Sequence, residues 1–335
     1  MAVFITSVIA GLVPRLLRPI LLRIGAVDIP NHRSSHARPT IRGGGVAQLA
    51  ALALGGAVGS ASMGERDGVA FVLLIVTASC LVGVVGLVED VRGLRVSVRL
   101  ALQLLLGVGV GLVLVPTAGS HWIIVPLSAL GFAAYVNFAN FMDGINGISS
   151  LHGLTAGLAF SAMGGILGYS WLMLAGLLVA VAFFVFLPWN IRPPGMFLGD
   201  VGSYLLGGSL SAIAIVAIAV GVHPVAAFSP LCIYLADTLA TLVRRALKGE
   251  SLHHAHRTHF YQRLSGAGLS HLAVAAVVSF LTALTGGIGL LLVGGALSPY
   301  ASSALLIAVI AVYLFLPGLR QGSGQRTGRV NVSAK

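Results

Sequence analysis

Residues 69–90 read VAFVLLIVTASCLVGVVGLVED: twenty residues without a charge, closed by the adjacent acids Glu89 and Asp90. A helix rises about 1.5 Å per residue, so the run covers about 30 Å, the hydrocarbon thickness of a bilayer. A half-buried strand would alternate, and an amphipathic helix would carry a polar face. This stretch does neither and reads as a membrane span. Outward from it the pattern recurs, giving candidate helices near 1–23, 45–63, 69–88, 100–116, 121–141, 152–168, 171–188, 203–221, 224–243, 271–293 and 298–316. Pro14, Arg15 and Arg18 interrupt the first. It has no basic region ahead of its apolar part, so it reads as an uncleaved span rather than a signal peptide.

Composition agrees with that reading. Of 335 residues, 57% are hydrophobic and only 9% charged, where soluble domains carry roughly a quarter charged. Mean hydropathy is +0.98, which excludes disorder, a coiled coil and a secreted disulfide scaffold. Cys80 and Cys232 both lie inside apolar runs, so neither a disulfide framework nor a cysteine zinc site is indicated. No internal repeat is visible, and the loop lengths lack the inverted symmetry of transporters.

The connections alternate in character. Long polar ones (24–44, 89–99, 142–151, 189–202, 244–270 and the tail) alternate with short, nearly uncharged ones. Counting Arg15, Arg18 and Arg23 with the first, 19 of the 20 Lys and Arg residues fall on the long-loop side, and only Arg66 does not. The positive-inside rule then puts the long loops and the C-terminus in the cytoplasm and Met1 outside. The net charge of +11 is thereby read as topogenic, with no nucleic-acid partner. The expected fold is an all-α polytopic membrane protein of about eleven transmembrane helices. One integral-membrane domain covers 1–320, and a disordered cytoplasmic tail covers 321–335.

Most acids sit with the bases, which topology does not demand, because Asp and Glu contribute little to orientation. Acids at helix ends, mixed with Arg and His on one side, suit a metal and an anionic substrate. Five segments carry this. In 28–45, DIPNHRSSHARPTIRGGG, Arg33, His36 and Arg42 suit phosphate and the glycines permit close backbone approach; a flexible basic loop is the alternative. The pair Glu89-Asp90 suits a metal or a base, or caps the next helix. In 137–150, NFANFMDGINGISS, Asn137, Asn140 and Asp143 recur every third residue and share a helix face. Asp200, between glycines in 190–208, is either an N-cap or a carboxylate for a cation beside backbone donors. In 251–264, SLHHAHRTHFYQRL, His256 and His259 are three apart; zinc sites want three or four ligands, so a phosphate-binding cluster fits better.

Taken together these segments resemble the polyprenyl-phosphate N-acetylhexosamine-1-phosphate transferases, the family that includes the phospho-N-acetylmuramoyl-pentapeptide transferase. The matching pieces are D-x-P-N-x-R at 28–33, H-x-x-P-T-x-R-G-G-G at 36–45, the acidic pair at 89–90, N-x-x-N-x-x-D-G-x-N-G at 137–147, F-L-G-D-x-G-S at 197–203 and the histidine segment. They stand in family order over roughly residues 1–320. The chain departs with Glu89-Asp90 for the usual Asp-Asp, and with Asn146 where a second aspartate is usual. The segment AHRTHFYQRL looks more like the branch that initiates lipopolysaccharide O-antigen than the peptidoglycan branch.

The resemblance implies transfer of a sugar-1-phosphate from a UDP-N-acetylhexosamine to undecaprenyl phosphate, releasing UMP, as a first membrane step of cell-wall or O-antigen synthesis. It implies Mg²⁺, with Mn²⁺ as a substitute, and a bacterial inner-membrane enzyme whose active site faces the cytoplasm; a homodimer is left open. By residue it implies Asp200 as metal ligand, with Asn140 supplying a second oxygen. Glu89 and Asp90 would engage the acceptor phosphate, Glu89 as base. Asp143 falls to the floor of the site. His256, Arg257 and His259 fall to the donor phosphates, and Arg33, His36, Arg42 and Asn137 to substrate contacts. A transporter or flippase is the other class, but it would place polar residues at mid-membrane.

Overall fold

The computed structural model describes residues 1–29, 39–192, 195–250 and 258–327, the last without the side chains of 319–327. Thirteen helices are formed among them: α1 Ala2–Arg23, α2 Gly45–Ala61, α3 Arg66–Arg92, α4 Val96–Thr117, α5 Ile124–Met142, α6 Ile148–Leu167, α7 Ser170–Ile191, α8 Gly199–Ala219, α9 Pro224–Phe228, α10 Cys232–Leu247, α11 Phe260–Gly266, α12 His271–Val293 and α13 Pro299–Thr327. Each of the eleven expected spans coincides with one of these, or with the α9–α10 pair. Ten are long and apolar enough to cross a membrane. The other, α2, has 17 residues, about 26 Å of rise, at the lower end of what spans. The chain is an all-α polytopic membrane protein.

The helix ends depart from the apolar runs in one consistent way. α3 continues to Arg92, and α8 begins at Gly199. Glu89, Asp90 and Asp200 therefore stand on terminal helical turns, not in loops. Hydropathy marks where the hydrocarbon ends, whereas a helix continues as long as its backbone bonds are made. The span Pro224–Leu247 is broken by a short 3₁₀ turn at Ser229–Leu231, where Pro230 cannot donate to the helical ladder.

α8 is the centre of the bundle. Every residue from Val201 to Ala217 is buried, and the helix packs chiefly on α3 and α5. α1 and α13 lie at the rim, with Phe4, Leu12, Ile307 and Phe315 exposed. One element was not expected. Three strands, β1 Val27–Asp28, β2 Thr40–Arg42 and β3 Met196–Phe197, form a small sheet at one end of the bundle. β1 pairs antiparallel with β2, and β2 pairs parallel with β3, with Arg42 opposite Phe197. Runs of two or three residues have no readable periodicity, yet this sheet brings Arg42 beside the start of α8.

Candidate functional site at the end of α8

A helix start leaves backbone N–H groups without intrahelical partners. At α8 two of them are taken by Asp90 from the last turn of α3. Oδ1 accepts from the Asp200 N–H and Oδ2 from the Val201 N–H, both at 3.0 Å. The carboxylate also sits at the positive end of the helix dipole. Close packing permits this: a Cβ at Gly86 would collide with the Asp200 carbonyl, so α3 and α8 touch backbone to backbone. Gly199 has φ 73°, and a Cβ there would come within 2.6 Å of Asp90 Oδ2. From β2, Arg42 Nη2 reaches Asp90 Oδ1 at 2.7 Å and Asp200 Oδ1 at 3.0 Å. Burial works against the Arg42 charge. Asp200, then Asp90 and Asp28, more than offset it and hold its pKa above the ordinary arginine value.

Asp200 points back over the end of α5. Asn140 Nδ2 donates to Asp200 Oδ1 at 2.9 Å and to Ser203 Oγ at 3.0 Å. Among the described residues, both side-chain contacts of Asp200, Asn140 and Arg42, fall on Oδ1, and the side chain keeps 17% of its surface exposed. Asp143 stands at the C-cap of α5, where Ser149 Oγ donates to its Oδ1 at 2.6 Å. Burial raises the Asp143 pKa; the Ser149 bond opposes this, Asp200 adds to it, and the result is about 7. Asn137, one turn deeper, turns toward α4 and donates to Gln103 Oε1 at 2.5 Å. Asn137, Asn140 and Asp143 thus divide among three neighbours, α4, α8 and α6.

Glu89 is held differently. Its Oε1 pairs with Arg99 Nη1 at 2.8 Å, and its Oε2 accepts from the Leu94 N–H at 2.5 Å, so it closes the α3–α4 turn. Arg99 also lies 3.5 Å from the Tyr204 hydroxyl on α8.

His259 belongs to a second cluster. Asp237 on α10 is fully buried. Its Oδ1 accepts from His259 Nδ1 at 2.9 Å, the Phe260 N–H at 3.1 Å and Thr241 Oγ1 at 3.4 Å. Its Oδ2 accepts from the Tyr261 N–H at 3.0 Å and the Tyr313 hydroxyl at 2.5 Å. One carboxylate thereby joins α10, α11 and α13. Tyr261 extends the tie to α5 by donating to the Phe141 carbonyl at 3.0 Å, two residues from Asp143. With Nδ1 turned to Asp237, Nε2 is the ring edge directed away from that carboxylate.

Of the residues singled out from the sequence, Arg42, Asp90, Asn140 and Asp200 are brought into direct contact. Asp143 lies one turn from Asn140; Glu89, Asn137 and His259 have partners of their own. Arg33, His36, His256 and Arg257 lie outside the described residues. Sequence reading missed Arg99, Ser149 and Gln103, and gave Asp237 no role. Only Asp237 carried a usable signal, as a carboxylate inside an apolar span. Among the described residues no three His, Cys, Asp or Glu side chains converge to hold a metal by themselves.

The glycosyl transferase family 4 model matches residues 72–218, a stretch that contains Glu89, Asp90, Asn140, Asp143 and Asp200. The chain is 28% identical over 300 residues to a probable undecaprenyl-phosphate N-acetylglucosaminyl 1-phosphate transferase of Bacillus subtilis, covering 82% of this chain and 80% of that one. It is 28% identical over 356 residues to a decaprenyl-phosphate N-acetylglucosaminephosphotransferase of Mycobacterium tuberculosis, covering 91% and 85%. It is 30% identical over 217 residues to a phospho-N-acetylmuramoyl-pentapeptide-transferase of Streptococcus pneumoniae, covering 56% and 62%. Likeness to these transferases runs along most of the chain, and the match to the glycosyl transferase family 4 model spans the carboxylates gathered around α8.

Proposed function

We propose that the protein transfers N-acetylhexosamine-1-phosphate from a UDP-sugar to undecaprenyl phosphate, at the membrane face that bears Asp143 and Asp200. In that reaction an acceptor phosphate oxygen bonds to the phosphorus that carries the sugar. The bond from that phosphorus to the UMP oxygen breaks, and UMP leaves. The observation that carries the reading is Arg42 bridging Asp90 and Asp200, with Asp143 one helical turn from Asn140, at one end of a charge-poor bundle. The names of the relatives supply the acceptor and the sugar phosphate. The 19-to-1 split of Lys and Arg supports a cytoplasmic face, hence entry of the nucleotide from that side.

The donor set fits magnesium, which takes oxygen ligands, needs only one or two carboxylates and keeps its remaining positions for water and phosphate. Asp200 would hold it, and Asn140 would join with its amide oxygen turned toward the ion. Bound there, the ion would neutralise pyrophosphate charge and favour departure of UMP. The chain's own groups do the rest. Asp90 keeps the start of α8 in place, and Arg42 sets the direction of the Asp200 carboxylate. Asp143, with a pKa of about 7, is suited to take a proton from an acceptor phosphate whose own second pKa is near 6. Glu89, engaged on both oxygens, serves the α3–α4 turn. His259 would present Nε2 to donor phosphate. A cleft of about 410 Å³ on the flank of α5, lined by Leu127, Leu130, Tyr135, Ile215 and Phe228, offers apolar room beside the spans for prenyl units.

The test is reconstitution of the purified protein with undecaprenyl phosphate and several labelled UDP-amino sugars, followed by mass analysis of the lipid product. A lipid-pyrophosphate sugar and stoichiometric UMP are expected. No transfer from any UDP-amino sugar would overturn the reading, and undiminished transfer in excess EDTA would remove magnesium from it.

A further inference from the structure

Beyond α11 from Asp143 lies a corner that the reaction does not use. Tyr261 turns toward α5, whereas Phe260, its neighbour, turns toward α10 and α13, with its ring 6.3 Å from that of Tyr313. Two guanidinium groups rest against the Phe260 ring, Arg244 at 5.3 Å and Arg263 at 5.4 Å from its centroid. Arg244 also donates to the Thr258 carbonyl, which fixes its direction. The nearby acids are engaged elsewhere: Asp237 by the five donors described above, and Glu250 by Arg245 at 3.5 Å. Two cations are thus ordered on one small patch, and among the described residues neither forms an ion pair with a carboxylate.

The flank beside them shows what they face. Leu239, Val243 and Leu247 recur every fourth residue on α10 and are 48, 57 and 84% exposed. Such a stripe on a membrane-spanning helix looks onto lipid. It runs to the last turn of α10, beside Arg244 and the exposed Lys248. Topology alone asks only for positive charge near a span end and has no need to order it. Stacking on a buried aromatic orders it, and guanidinium matches phosphate oxygens with paired donors.

We propose that the corner formed by Arg244, Phe260 and Arg263 binds the phosphate headgroup of an anionic phospholipid, with acyl chains along the Leu239–Val243–Leu247 stripe. The occupant is a lipid of the surrounding bilayer, distinct from the prenyl acceptor and the nucleotide. The inference stands on this geometry and does not need the transfer reaction.

The experiment places the full-length protein in phosphatidylcholine nanodiscs, titrates phosphatidylglycerol, and counts retained phosphatidylglycerol by native mass spectrometry. Wild type is expected to keep it against exchange. The double variant Arg244→Gln/Arg263→Gln should lose affinity by roughly 30-fold, at about one phosphate-facing charge each. Phe260→Leu keeps both charges and should weaken retention by loosening them. Arg92→Gln/Arg95→Gln, an equal loss of charge on the exposed α3–α4 turn, should leave retention unchanged. Equal loss in that control, or retention undiminished in Arg263→Gln alone, overturns the site. So does a raised KM for UDP-sugar with phospholipid retention intact, since that would give the arginines to the nucleotide.

Discussion

Asp200 at the start of α8 and Asp237 inside α10 each sit at the hub of a polar cluster. Asp237 has no exposed surface and five donors on its two oxygens, drawn from α10, α11 and α13. Asp200 keeps some surface, receives one amide and one guanidinium on a single oxygen, and lies close to Asp90 and Asp143. A carboxylate whose hydrogen-bonding capacity is filled by its own chain holds a fold together. One left partly wet among like charges costs stability and has capacity for a ligand. The two clusters meet at the end of α5 through Tyr261 and the Phe141 carbonyl.

The contrast can be broken by exchanging charge for amide at each hub. Asp200→Asn is expected to lower transfer of labelled sugar-1-phosphate by about 10³-fold or more, some 4 kcal/mol of barrier, with little change in melting temperature. Wild-type activity in that variant would end its role at the metal. Asp237→Ala should do the reverse in kind. It strands several buried donors and should cost on the order of 3 kcal/mol in detergent unfolding, with activity falling as α11 loosens. A variant as stable as wild type would mean that Asp237 is not an anchor.

Asp143 sharpens the comparison through pH. Its folded pKa of about 7 exceeds the unfolded value of about 3.9, so between these values the folded chain holds a proton that the unfolded chain releases. Stability should therefore fall as pH rises from about 4 to 7 and be flat above. Asp143→Asn removes that slope. At pH 8 in EDTA it should melt later than wild type, by ~1–2 kcal/mol once partial exposure is discounted, although its transfer activity drops. An earlier melt at pH 8 would contradict the strained-carboxylate account. The smallest effect belongs to Glu89→Gln. Its pair with Arg99 is partly exposed, so less than ~1 kcal/mol of stability is expected to be lost. A thousandfold loss of turnover there would show that Glu89 acts on substrate after all.

The spans were legible because hydrophobic length is a local property: each apolar run carries its own reason to lie in a bilayer, and each became a helix. The concentration of acids with bases on one side was legible for the same reason, and so was the family likeness carried by Asp28–Gly45, Asn137–Gly147 and Phe197–Ser203. Who touches whom was not. Asp90 reads as one of a catalytic pair, yet it caps a helix 110 residues further along. Glu89, its neighbour, points to Arg99 instead, because successive residues on a helix turn face directions about 100° apart.

The amino-acid sequence by itself determined where the apolar helices run and which polar residues stand between them, since these follow from composition and order along the chain. Only the tertiary structure decided that Arg42 reaches Asp200, through a strand pairing too short to have a pattern of its own. It alone decided that five donors meet Asp237 and, among the described residues, two meet the Asp200 side chain, because the number of donors meeting a carboxylate depends on how distant helices pack.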